Sequence, residues 1–130
     1  MDGNTEQFTF TGRIRSIRYA LHGVVEMLRS QHNAWVHLMA TIVVVSAGFW
    51  CRVTSSEWCF LTLAIMSVWV AEALNTAFEF LCDVASPDFH PIVKKSKDVA
   101  AGAVLISAIG AVVIGAIVFL PHVTNLAATG

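Results

Sequence analysis

Charge is scarce in this chain. Only 13% of its 130 residues are Asp, Glu, Lys or Arg, against 56% hydrophobic, where soluble domains average about 25% and about 45 to 50%. That deficit argues against an ordinary water-soluble domain and makes a lipid bilayer the first environment to consider. Basic residues are too few to leave anything but a net charge of −1, so there is no basic face to neutralise the phosphates of a nucleic acid. Cysteine is limited to Cys51, Cys59 and Cys82, with no Cys-x-x-Cys and no His-rich spacing. A disulfide framework is excluded and a zinc site disfavoured; the three read as small apolar fillers. No Gly-x-x-x-x-Gly-Lys-Ser/Thr loop and no Gly-x-Gly-x-x-Gly is present, which removes the P-loop and the soluble protein-kinase fold. The first thirty residues lack the compact apolar block of a signal peptide, so the membrane helices themselves are expected to direct insertion.

What the chain does have is long stretches free of Asp, Glu, Lys and Arg: Ala34 to Cys51, Trp58 to Ala71 and Val99 to Leu120. A helix needs about 20 residues to cross a hydrocarbon core of about 30 Å. The first and third stretches suffice or nearly so. The middle one is too short, and to span it must continue through Glu72 and Asn75 towards Glu79. Ahead of the first span, Ile14, Ile17, Leu21, Val24, Val25 and Leu28 recur at helical spacing among Arg13, Arg15, Arg18, His22 and Arg29, the pattern of an amphipathic helix lying in the interface. The expected fold is therefore an all-α membrane protein: a flexible segment over residues 1–12, an interfacial helix over about 13–30, and spans over about 34–52, 57–83 and 98–121, all one membrane-embedded domain. In the third span, Ala103, Ser107, Ala111 and Gly115 are four apart and form a small-residue seam of the kind that lets helices approach closely in lipid.

Within the middle span, Glu72, Asn75, Glu79 and Asp83 fall within an arc of roughly 80° at about 100° per residue. One helix face thus carries three carboxylates and an amide. A charge at the bilayer centre costs about 2.5 to 3.5 kcal/mol on insertion scales, so such groups persist mainly where they pair, line water or act. With Glu79 near the inner headgroups, Glu72 lies about 10 Å deeper along the helix, at the depth of a lipid hydroxyl, where a carboxylate can act as a general base. Just beyond the connecting segment stand Lys94, Lys95, Lys97 and Asp98. Lysines at a helix start can neutralise nucleotide phosphates, or they only satisfy the positive-inside rule. Acids for a hard cation, lysines for phosphate and a base at the interface are parts enough for phosphoryl transfer.

The run Glu72-Ala-Leu-Asn75-Thr76-Ala-Phe-Glu79-Phe-Leu-Cys-Asp83 closely resembles Glu-x-x-Asn-Ser/Thr-Ala-x-Glu-x-x-x-Asp, the signature of the prokaryotic diacylglycerol kinase and undecaprenol kinase family. Lys97-Asp98-Val99-Ala100-Ala101-Gly102-Ala103-Val104-Leu105 resembles the family's second block, with the Ala-Ala-Gly wording of its undecaprenol kinase branch. The resemblance implies a homotrimeric enzyme of the bacterial inner membrane, its active site facing the cytoplasm, that uses ATP and Mg2+ to phosphorylate a lipid alcohol, undecaprenol or diacylglycerol. It implies that Glu72 is the catalytic base, that Asn75 and Glu79 contact nucleotide and magnesium, and that Lys97, Asp98 and, in Tyr19-Ala-Leu-His-Gly23, Tyr19 bind nucleotide. Asp83 closes the motif without a defined role. Where the family has an acidic second magnesium ligand before the first span, this chain has Gln31, a weaker ligand for a hard cation. Glu26 offers a carboxylate upstream on a different helix face, so a metal held by phosphates and Glu79 is the favoured arrangement. His32 and His37 read as interfacial or packing histidines.

Two other classes stay open on residues alone. Intramembrane acids also serve proton or ion conduction, although the lysine block fits that poorly, and a non-catalytic helix bundle needs only the small-residue seam. Orientation follows from the excess of Lys and Arg at the N-terminus and between the second and third spans, which places both in the cytoplasm and the 52–57 connection outside. A cysteine introduced at His90 should resist a membrane-impermeant thiol reagent applied to intact cells, and labelling there would reverse the orientation.

Overall fold

The structure, a computed structural model, describes residues 9–129 and contains four helices in chain order: α1 (Phe10–Ser30), α2 (His32–Cys51), α3 (Ser55–Ala85) and α4 (Pro91–Thr129). There is no strand among the described residues. The expected flexible N-terminal segment lies, for residues 1–8, outside the described residues, and Thr9 already caps α1, its side chain accepting from the Gly12 N–H. Helices α2, α3 and α4 are long and apolar enough to cross a membrane. Little of their surface is turned inward, and Leu63, Ile106, Val112 and Ile117 stand exposed, as expected where hydrocarbon rather than water is the solvent.

α1 and α2 are separated by a single residue. Gln31 is extended (φ −111°, ψ 118°) and serves at once as C-cap of α1, its N–H bonding the Met27 carbonyl, and as N-cap of α2. Met27 is the one buried side chain of α1. At the other end of α2 the turn is closed by Arg52 in the left-handed conformation (φ 53°), with Val53 N–H on the Gly48 carbonyl at 3.1 Å. Thr54 then starts α3 with a reciprocal capping box: its side chain accepts from Glu57 N–H and Glu57 Oε2 accepts from Thr54 N–H at 2.7 Å. This pairing satisfies two of the donors that a helix start leaves open.

α3 is the central element and packs most extensively on α4. Contacts at both ends show the two running antiparallel: His122 Nε2 lies 3.1 Å from Glu57 Oε1 at one end, and Lys97 Nζ meets Asp83 Oδ1 at the other. α4 starts earlier than expected. Pro91 occupies the first helical position, where its missing N–H costs nothing, and His90 Nδ1 accepts from Ile92 N–H at 3.2 Å. Lys94, Lys95 and Lys97 therefore sit on the first turns of a helix that begins ahead of the expected span start near 98. α4 also continues past Pro121, which removes one backbone donor; the Thr124 hydroxyl donates to the Leu120 and Pro121 carbonyls there. Its 39 residues reach about 58 Å at 1.5 Å per residue, well beyond a bilayer core. The small-residue seam makes no tight approach within the chain, since Ala103 is exposed and a Cβ at Gly115 would meet nothing within 4 Å.

A core cluster of Val53, Leu61 and Val118, flanked by Val44, Trp58 and Phe119, holds the three spans together near the α2–α3 turn. Gly48 leaves room for the Trp58 ring beside it. A Cβ on Gly48 would come within 2.6 Å of the Trp58 ring, which also packs on Phe49 at a centroid distance of 5.0 Å. Gly48→Ala gains about 0.5 to 1 kcal/mol of helix propensity, but overpacking costs about 1 to 3 kcal/mol, so the variant should melt at a lower temperature in detergent. A rise in melting temperature would show that the indole swings away freely.

Candidate active site

α3 turns its acidic face through a gradient of burial. Glu72 is fully buried at 0% exposure and Asn75 nearly so at 6%, Glu79 is half-buried and Asp83 exposed. Helical spacing brings the four onto one face, and the packing of α2 and α4 decides how deep each lies. Glu72 and Asn75 line a cavity of about 250 Å³ with Asn33, Val36 and His37 from α2 and Ala101, Val104, Leu105 and Ala108 from α4. Beside it an apolar groove of about 330 Å³ runs between the same two helices, lined by Ala40, Val44, Val68, Val112 and Phe119 among others and sharing Val36, His37 and Ala108 with the cavity.

Around Glu79 the hydrogen bonds are complete. Gln31 Nε2 donates to Glu79 Oε2 at 2.8 Å and Asn75 Nδ2 donates to Glu79 Oε1 at 3.2 Å. Two amides thus hold one carboxylate, one on each of its oxygens. Around Glu72 they are not. Neither Glu72 oxygen, nor Asn75 Oδ1, nor His37 Nε2 has a hydrogen bond among the described residues, although all four atoms are buried. His37 Nε2 and Glu72 Oε2 nevertheless face each other at 3.4 Å. A buried carboxylate without donors is costly in a structural role and useful in a reactive one, since a reacting group needs its lone pairs accessible.

Of the residues that the sequence singles out, Glu72, Asn75, Glu79 and Gln31 are brought together. Lys97 and Asp98 are near but differently engaged: Lys97 pairs with Asp83, and Lys94 with Asp98 at 2.7 Å. Such exposed pairs are weak and readily exchange for a polyanion. Tyr19 is exposed on α1 and does not line the Glu72 cavity, and Glu26 is likewise exposed on α1. His37, read from sequence as packing, instead stands against the deepest acid. A signal for it exists in the sequence, because it is the one histidine in the uncharged stretch from Ala34 to Cys51 and an acid inside a span calls for a partner.

Among the described residues no three His, Cys, Asp or Glu side chains gather into a dedicated metal site. The donor set around Glu79 does fit a cation that arrives with phosphates. Magnesium is commonly held by one or two carboxylates plus substrate oxygens, and here Glu79 would supply the carboxylate and Gln31, with its amide turned, an oxygen.

Comparison with known proteins identifies the family. The family profile described as prokaryotic diacylglycerol kinase matches residues 18–119. The chain is 33% identical over 121 residues to the undecaprenol kinase of Bacillus subtilis, covering 93% of this chain and 98% of that protein. It is 35% identical over 112 residues to the diacylglycerol kinase of Synechocystis, covering 85% of this chain and 64% of that protein. With the diacylglycerol kinase of Escherichia coli K12 it shares 30% identity over 120 residues, 87% of this chain and 93% of that protein.

Gln31→Glu would set a second carboxylate against Glu79 in place of an amide donor. The concentration of divalent cation needed for half-maximal turnover should fall. An unchanged requirement in a folded variant would place Gln31 away from the cation.

Proposed function

The chain belongs to the prokaryotic diacylglycerol kinase family and is a lipid kinase, and from that premise we propose that it moves the γ-phosphoryl group of ATP, with Mg2+, onto the hydroxyl of a membrane lipid alcohol, undecaprenol or diacylglycerol. The observation that carries this reading is the burial gradient on α3: a donor-free carboxylate at depth, and a half-buried carboxylate held by amides nearer the exposed end. Glu72 is the general base. As the lipid oxygen bonds to phosphorus, Glu72 takes the hydroxyl proton, and the bond from phosphorus to the leaving ADP oxygen breaks. Glu79 and Asn75 hold the nucleotide side, Glu79 with Gln31 on the cation, which when bound neutralises charge on the transferring phosphoryl group. Lys97 and Asp98 meet the nucleotide once phosphates displace their present partners, and Tyr19 closes on it from α1.

The lipid's hydrocarbon chain occupies the apolar groove, which is continuous with the Glu72 cavity through Val36, His37 and Ala108. With one chain leaving α1 and much of α4 uncovered, a homotrimer supplies the remaining walls, and the active site faces the cytoplasm of the inner membrane. An ion conduit is less well supported, because α3 carries no acid from Trp58 to Ala71 to continue a relay across the outer half.

Glu72 and Glu79 should fail differently. Glu72→Gln keeps the shape but removes a base worth typically about 10² to 10⁴ in rate, so kcat should collapse while directly measured ATP binding persists. Glu79→Gln should weaken apparent ATP and magnesium affinity and lower kcat with them. Assays of the purified protein in detergent with both lipids on offer check this. Near-normal turnover by Glu72→Gln, or loss of nucleotide binding by it while Glu79→Gln keeps it, would reverse the assignment.

A further inference from the structure

A base that takes a proton must also lose it, and Glu72 lies where its own helix offers no exit. Its neighbours along the acidic face are Asn75, an amide, and Glu79, about 10 Å away along the axis and already bonded by two amides. The cavity walls from α4 are Ala101, Val104, Leu105 and Ala108, none of which carries a proton. From α2, however, His37 Nε2 stands 3.4 Å from Glu72 Oε2, with the imidazole 14% exposed and Glu72 0%.

The imidazole is held there by a chain of contacts. Trp69 Nε1–H donates to Thr41 Oγ1 at 3.0 Å, and the Thr41 hydroxyl donates to the His37 carbonyl at 2.8 Å. The Trp69 ring meets the imidazole edge-on, at 6.5 Å between centroids and 69° between planes. One α3 side chain thus steadies the α2 turn that aims His37 at Glu72. His37 also lies on the border between the Glu72 cavity and the apolar groove.

On the lipid kinase reading given above, we propose that His37 is a positioning residue that takes the proton of the Glu72 carboxyl after phosphoryl transfer and so returns Glu72 to its basic form. The lipid O–H bond breaks as the oxygen–phosphorus bond forms, ADP leaves with the electron pair of its own bond to phosphorus, and the proton goes to Glu72. From Glu72 it passes to the lone pair on Nε2 of a neutral imidazole whose Nδ1 carries hydrogen, and from the imidazolium to water through the cavity. Glu72 is then a carboxylate again. Among the groups that line the two cavities bordering His37, Glu72 on α3 is the one other titratable side chain; α4 contributes none, and α2 adds the polar but non-titrating Asn33 and Thr41.

The test uses the purified full-length protein in detergent with ATP, Mg2+ and a lipid alcohol, comparing the wild type with His37→Gln and His37→Ala across pH. A relay needs neutral imidazole, so wild-type kcat should fall towards acid. His37→Gln can still hydrogen-bond Glu72 but cannot carry the proton. Its kcat at neutral pH should drop on the order of 10-fold or more, its acid limb should vanish, and its ATP binding should stay as in the wild type. His37→Ala opens space beside the cavity, and added imidazole should restore part of its rate. A wild-type kcat and acid limb in His37→Gln, or a His37→Ala rate that imidazole leaves unmoved, would overturn the relay. Absence of lipid-dependent ATP turnover in the wild type would instead sink the kinase reading itself.

Discussion

A carboxylate buried in a bundle whose outer surface is made for hydrocarbon is the constraint on which this architecture turns. Among the described residues every strongly buried polar side chain, Glu72, Asn75 and Thr76, belongs to α3. Thr76 satisfies itself by donating to the Glu72 carbonyl at 2.8 Å, whereas Glu72 can be kept from lipid only by helices on both sides. That is why α3 is central and packs on α2 and α4 alike, and why alanines at 101 and 108 line the cavity beside the acid, where larger side chains would fill it. Helix association in lipid gains little from hydrophobicity. The bundle is closed instead at its ends, by the cluster around Leu61 and the Glu57–His122 contact on one side and by Asp83–Lys97 on the other.

Along the same face, different surroundings give like residues different work. Each Glu79 oxygen accepts from one amide, of Gln31 or Asn75, and Glu72 has no donor at all among the described residues. Asn75 belongs to both environments, its nitrogen committed to Glu79 and its oxygen turned to no partner. The face therefore reads as two compartments joined by one amide: a polar, accessible one suited to a charged nucleotide and a buried one suited to the lipid hydroxyl.

Much of this was legible in the sequence, for identifiable reasons. Runs without charge reveal spans because hydrocarbon tolerates few charges, and the offsets between residues 72 and 83 reveal a shared face because one helix has one period. Gln31 stands out because an amide occupies the place where the family resemblance asks for an acid, and it does lie against Glu79. The extent of α4 was not legible. The expected span ran over about 98–121, but Pro91 sits where a helix tolerates proline and α4 continues through Pro121 with one backbone donor fewer. For His37 the sequence held only its place in an uncharged stretch, since its contact with Glu72 depends on the relative rotation of two helices, which no spacing within one helix encodes. Tyr19, matched by a short motif alone, is exposed and does not line the Glu72 cavity.

Gln31 joins two mechanical roles in one residue. Its backbone is the whole of the joint between the surface helix and the first span, and its side chain rests on the carboxylate at the nucleotide end of the site. With no spacer between the two helices, the joint that sets the angle of α1 and the amide that touches Glu79 are parts of one residue.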